Sequence, residues 1–178
     1  MKKLKIILIL VGQIFANVCF AQSGWYWQNP LPQGNYLNDV EFIGNGVAIA
    51  CGEAGTILRT INNGINWSVV KNDSGVINRA VDFYNSNTGW IISSYNGRII
   101  KTTNGGNNWF IQLSGSSMNF TSLFFHNPDT GLALTNSNVY KTSNGGMNWD
   151  VISGVEGYDI QFTNTATGYA MGSNPNVY

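Results

Sequence analysis

One short turn is written three times in this chain: RTINNGINW at 59–67, KTTNGGNNW at 101–109 and KTSNGGMNW at 141–149. The tryptophans that close it, Trp67, Trp109 and Trp149, stand 42 and 40 residues apart. A second landmark keeps the same step. Phe42, Phe83, Phe125 and Phe162 end short alternating runs, NDVEF, RAVDF, TSLFF and YDIQF, and a glycine (Gly46, Gly89, Gly131, Gly168) opens the apolar run behind each. Self-similarity at a fixed period marks a repeat architecture, and a period near 40 residues limits the choices sharply.

Each period divides into four short strands. In the second unit the pattern places them near 79–84, 90–94, 98–102 and 108–113, separated by NSNTG, YNG and the NGG turn. Four strands per repeat of this length is one blade of a β-propeller. A lone blade leaves one or both faces bare, so blades must stack around an axis. The expected fold is therefore all-β, a propeller of four-stranded antiparallel blades. The units fall at about 36–70, 78–113, 119–153 and an incomplete 157–178, giving about three complete blades plus partial ones. Charged residues make up only 10% of the chain, so Asn, Gly, Ser and Thr must supply surface polarity, which suits turn-rich β structure.

The turn has a mechanism. Asn63-Gly64, Gly105-Gly106 and Gly145-Gly146 can take the positive φ angles a tight hairpin demands. Asn62, Asn104 and Asn144 can bond backbone N–H groups through their side-chain oxygens, and Thr60, Thr102 and Thr142 place a hydroxyl at the same corner. The indoles of Trp67, Trp109 and Trp149 can then pack between neighbouring sheets.

TINNGINW, TTNGGNNW and TSNGGMNW resemble the Asp-box (BNR-type) repeat, Ser/Thr-x-Asp-x-Gly-x-x-Trp, with Asn where Asp is usual. With the Phe…Gly framework, the chain resembles the Ycf48-like family of β-propellers, which shares Asp boxes with sialidases, sortilin-type receptors and some xyloglucan hydrolases. The resemblance spans nearly all of residues 24–178. It implies a propeller whose boxes are structural turns remote from any active centre, and a photosystem II assembly factor-like, partner-binding role. Those assembly factors are associated with an arginine-rich surface patch, whereas this chain holds only Arg59, Arg79 and Arg98. Arg59 matches Lys101 and Lys141, so it belongs to the repeat.

Residues 1–21 read as a secretory signal peptide: Lys2, Lys3 and Lys5 lead an apolar run from Ile6 to Phe20, and cleavage is expected before Gln22. A membrane anchor fits less well, because Gln13 and Asn17 interrupt a run that must reach about 20 apolar residues to span. A lipoprotein site at Cys19 is the other alternative. Loss of the three lysines leaves six basic against nine acidic residues, about −3, which disfavours nucleic acid and anionic membranes as partners. Cys51 is then without a partner in the chain and is expected to be buried.

The segment at 24–29 resembles an outer fourth strand, the kind that closes a propeller ring. The fourth unit stops at Ser173–Tyr178, before its own turn. The expectation is a piece of a longer chain; a small four-bladed ring closed by 24–29 is the alternative.

No catalytic, metal or cofactor constellation is expected. His126 reads as a solvated loop residue beside Asp129, and one histidine cannot supply a repeated triad or metal cage. Glycoside hydrolysis would need paired carboxylates. Of Asp39, Glu41, Asp82, Asp150, Glu156 and Asp159, the repeat-matched Glu41 and Asp82 read as the exposed face of an alternating strand, with Phe124 and Gln161 at the same place in later units. Among aromatics that could line a sugar-binding rim (Trp25, Trp27, Tyr36, Trp90 and Tyr95), Trp90 is the candidate ligand-binding residue, because the matching positions read Val47, Leu132 and Tyr169. The function that follows is a secreted, periplasmic or cell-surface, non-enzymatic scaffold with a protein partner. Part of a carbohydrate-active enzyme, or a module with a glycan ligand, is the alternative.

Overall fold

The computed structural model describes residues 34–154, 157–162 and 168–172. The expected signal peptide, the 24–29 strand with Trp25 and Trp27, and the 173–178 end lie outside the described residues. Within them the chain makes three four-stranded sheets and part of a fourth. The first runs β1 (Leu37–Gly44), β2 (Val47–Gly52), β3 (Ile57–Thr60) and β4 (Ser68–Lys71). The second runs β5 (Asn78–Phe83), β6 (Gly89–Ser93), β7 (Arg98–Thr102) and β8 (Phe110–Ser114). The third runs β9 (Phe120–Phe125), β10 (Gly131–Thr135), β11 (Asn138–Thr142) and β12 (Asp150–Ser153), and β13 (Asp159–Phe162) pairs with β14 (Gly168–Met171). Strands pair antiparallel in chain order, and the first strands neighbour one another, β1 beside β5, β5 beside β9 and β9 beside β13. That is the blade arrangement of a β-propeller, with first strands innermost.

The second strands of the first three sheets are buried on both faces, as GWIIS in β6 and VAIAC in β2 require of β-branched and aromatic side chains in mid-sheet. Three apolar layers fill the gaps between sheets. Ile49, Cys51, Ile57, Val81, Ile91 and Ile100 lie between the first and second. Trp90, Ile92, Ile99, Phe120, Leu123 and Phe125 lie between the second and third, and Leu134, Val139, Ile160 and Ala170 between the third and fourth. Burial pushes the Cys51 thiol far up, so it acts as a small apolar core residue.

The repeat landmarks meet in space. Phe83 is the cross-strand partner of Gly89, and Phe125 of Gly131, each ring lying over a glycine that has no Cβ to obstruct it. The box indoles complete the stack: Trp109 meets Phe83 edge-on at 5.9 Å, and Trp149 meets Phe125 at 6.0 Å. In the first blade the partner of Phe42 is Ala48, while Gly46 sits in the turn at φ +76°. The first-blade match to Trp90 is therefore Ile49 and not Val47.

Each box turn forms the same bonds. Thr102 Oγ1 accepts from the Asn104 and Gly106 N–H groups at 3.3 and 3.0 Å, and donates to Asn104 Oδ1 at 3.1 Å. That Oδ1 also accepts from the Asn108 N–H at 3.0 Å. Thr60 with Asn62, and Thr142 with Asn144, repeat the set. Gly106 has φ +80°, and a Cβ built there would lie 2.4 Å from Ile49 Cδ1 of the preceding blade. Gly106→Val combines backbone strain with overpacking and is expected to cost on the order of 3 kcal/mol. Thermal unfolding measures it; a midpoint unmoved by the change would contradict the turn and its seat against Ile49.

Candidate functional site

Two ends of the sheets differ in chemistry. At one end, each box turn is tied to the blade before it: Arg59 Nε donates to Gly105 O at 2.8 Å, and Lys101 Nζ donates to Gly145 O at 2.9 Å. Lys101 also lies 5.0 Å over the Trp90 ring, and burial lowers its pKa against the opposing pull of Asp129. The turn motif is thus occupied by blade-to-blade bonding. His126 is partly exposed in the turn between β9 and β10, where its N–H donates to Thr130 O at 3.0 Å. Among the described residues no group of three or more His, Cys, Asp or Glu side chains could hold a metal ion.

The inner strands use their acids in the same way. Asp39 Oδ2 accepts from the Val81 N–H at 2.9 Å, and Asp82 Oδ2 accepts from the Phe125 N–H at 2.8 Å. Glu41 and Asp82, read from sequence as the exposed face of an alternating strand, lie between blades. The reading fails because in a propeller both faces of the sheet are covered, so alternation separates the preceding neighbour from the following one. Burial raises Glu41 from 4.5 to about 7; the charge of Asp82 adds to the rise, the Phe83 N–H opposes it, and Asp39 adds a little more. Burial likewise raises Asp82 against the Phe125 N–H.

Trp90 is fully buried, its ring stacked on Phe125 at 3.4 Å and 6° and closed off from ligands. It fills the layer between the second and third blades, so its departure from Ile49, Leu132 and Tyr169 reflects packing. Tyr36 and Tyr95 are the exposed rings of the aromatic set among the described residues.

At the opposite end, loops that join blades meet the loops between second and third strands. Gly55 N donates to Val76 O at 2.8 Å, Ser94 N to Ile77 O at 2.9 Å and Gly97 N to Met118 O at 3.0 Å. Asn78, almost fully buried, donates through Nδ2 to Thr56 O and accepts from Ser93 Oγ. Asp73 and Arg98 form the one ion pair among the described residues. Two adjoining clefts open on this stapled surface among the described residues. One of ≈ 250 Å³ is lined by Arg79, Tyr95, Asn96 and Ser116–Asn119, among others; the second, of ≈ 380 Å³, shares Ser117–Asn119 and runs on to Thr135–Asn138 and Tyr140. Hydroxyls and amides dominate both, and no acid lines either. Sequence reading named Arg79 and Tyr95 but did not bring them together, because the loops at this end differ in every repeat.

The comparisons agree on architecture. A family model described as Photosynthesis system II assembly factor YCF48 matches residues 19–157. No curated protein sequence matches the chain significantly. Among solved structures, YCF48 bound to D1 peptide aligns at TM-score 0.66 and 20% identity, over 82% of this chain and 50% of that one. YCF48 from Cyanidioschyzon merolae aligns at 0.59 and 22%, over 71% and 42%. A GH74 enzyme from Niastella koreensis aligns at 0.63 and 15%, over 78% and 28%. The chain therefore spans half or less of the length of each.

The acid row makes stability depend on pH. Between pH 4.5 and about 7 the folded chain keeps a proton on Glu41 that the unfolded chain has released, so stability falls as pH rises across that window. Glu41→Gln is expected to flatten this slope, leaving the part due to Asp82. Denaturant midpoints at about pH 5 and about pH 7.5 measure it, and an identical slope in the variant would rule out the buried acid.

Proposed function

Since the chain belongs to the Photosynthesis system II assembly factor YCF48 family, we propose that it is an exported, non-enzymatic propeller that holds a protein segment on its loop-end surface. The observation that carries this reading is where the acids go. Asp39 and Asp82 accept backbone N–H groups of the following blade, Glu41 is held against Phe83, and Asp159 accepts from Ser122 Oγ at 2.9 Å. Carboxylates committed to joining sheets are poorly placed to share a glycosidic bond. The loop-end clefts, by contrast, present donors and acceptors on a rigid base, as a recognition surface does. The YCF48 structure with a bound D1 peptide supports a polypeptide as the class of partner. Export rests on the basic, apolar and small-residue pattern of 1–21.

Hydrolysis is the second reading, favoured by the raised pKa of Glu41 beside Asp82 and by the fold shared with a GH74 enzyme. The two separate cleanly in one experiment. The chain, expressed with its leader and recovered from the exported fraction with Gln22 at its N-terminus, is expected to capture a defined protein and to release no reducing sugar from xyloglucan. Sugar release abolished by Glu41→Gln would overturn the scaffold reading.

A further inference from the structure

We propose that the cleft between the second and third blades takes the terminal carboxylate of an extended peptide, with Arg79 as its counter-charge and Tyr95 as its platform. The proposal rests on the partner-binding reading above and assigns the chemistry of the partner.

Three repeat-equivalent residues carry the inference. The inner strand of each of the first three blades has a one-residue bulge near its loop end: Asn38 between Leu37 and Asp39, Arg79 between Asn78 and Ala80, Thr121 between Phe120 and Ser122. A bulge leaves its extra residue out of the ladder and re-aims its side chain. In the first blade, Asn38 Nδ2 donates to Asn78 O of the next blade at 2.7 Å. In the third, Thr121 Oγ1 donates to Gly157 O of the next at 2.9 Å. Asn78 and Gly157 hold the same place in their blades, and the corresponding acceptor for Arg79 is Phe120 O. Arg79 makes no such bond. Among the described residues it has neither a hydrogen bond nor an ion pair, and it is exposed in the cleft beside Tyr95, itself 67% exposed. The second blade thus gives up a clamp found on either side of it and presents a free guanidinium.

The surroundings define what that group would bind. One positive charge with no acid in the lining suits a single carboxylate, which a guanidinium meets through two parallel N–H bonds. Ser117, Asn119 and Asn96 offer neutral donors and acceptors at the rim. The Ser117–Asn119 loop leads directly into the second cleft, whose Asn136–Asn138 wall presents amide and hydroxyl groups, while the buried Thr135 hydroxyl braces it from behind. An extended backbone offers N–H and C=O groups in regular alternation to such a wall, and Met118, between the clefts, can adapt to a side chain. A chain end lying across both clefts uses all of these features at once.

The test uses the full chain and a pool of hexapeptides of mixed sequence carrying fluorescein on the N-terminus, prepared once as free acids and once as C-terminal amides, with fluorescence anisotropy as readout. The free acids are expected to bind at least about tenfold more tightly than the amides. Arg79→Gln should erase that preference, Arg79→Lys should retain part of it, and Tyr95→Ala should weaken both pools. The thermal midpoint of Arg79→Gln should match the parent, because the side chain has no partner to lose. Equal binding of acids and amides, or an unchanged preference in Arg79→Gln, would overturn this assignment while leaving the scaffold reading intact. Binding of galacturonic-acid oligosaccharides in place of peptides would overturn it in favour of an acidic glycan, and binding of no probe would overturn it outright.

Discussion

A four-stranded sheet whose middle strands are apolar on both faces can be stable only between two neighbours, and the rest of this molecule follows from that need. Ile91, Ile92, Ile99 and Ile100 are buried because the second sheet is covered from the first on one side and the third on the other. Where no described sheet covers the first blade, the positions equivalent to buried Val81 and partly buried Phe83 stand open: Val40 is 62% and Phe42 63% exposed. The same side chain is therefore core or surface according to whether a neighbour exists, with no change in its own strand.

Apolar layers bring the sheets together without fixing their angle or register, and polar groups supply that. Arg59 and Lys101 reach the next turn, Asp39 and Asp82 reach the next inner strand, and Asn38 and Thr121 reach the next blade at its loop end. Directional bonds to backbone atoms tolerate little displacement, so they specify one arrangement where dispersion alone would accept several. A chain so poor in charge places several of its charged residues at these joints, which explains why they recur with the repeat. It also explains why Glu41 and Asp82 have raised pKa values without a ligand to act on: the space between sheets, and the acids' nearness to one another, produce the shift.

Function in such a frame falls to whatever the joints leave free. The box turns are consumed by bonding at one end. The opposite end has loops of unequal sequence, two adjoining clefts and an arginine that declines the role its equivalents play. Recognition by loops on a rigid support is the common arrangement, and here the support is built by the repeats while the loops escape them.

Periodicity made the frame legible. The spacing of Trp67, Trp109 and Trp149, and of Phe83 and Phe125, marked the blades, and the Thr–Asn–Gly pattern marked the turns, because local backbone bonding depends on residues close in sequence. The reading of Gly46 and Val47 slipped by two residues, since a turn of Gly44–Gly46 resembles the opening of a strand. The site was illegible for a different reason. Whether Trp90 is a binding surface or a ring stacked on Phe125, whether Asp82 faces water or the next inner strand, and whether Arg79 finds a partner are settled by a blade some 40 residues away. Sequence alone determined the sheets and their turns, through short-range backbone chemistry; the stacking of one sheet on the next decided which polar groups were spent and which were left to bind.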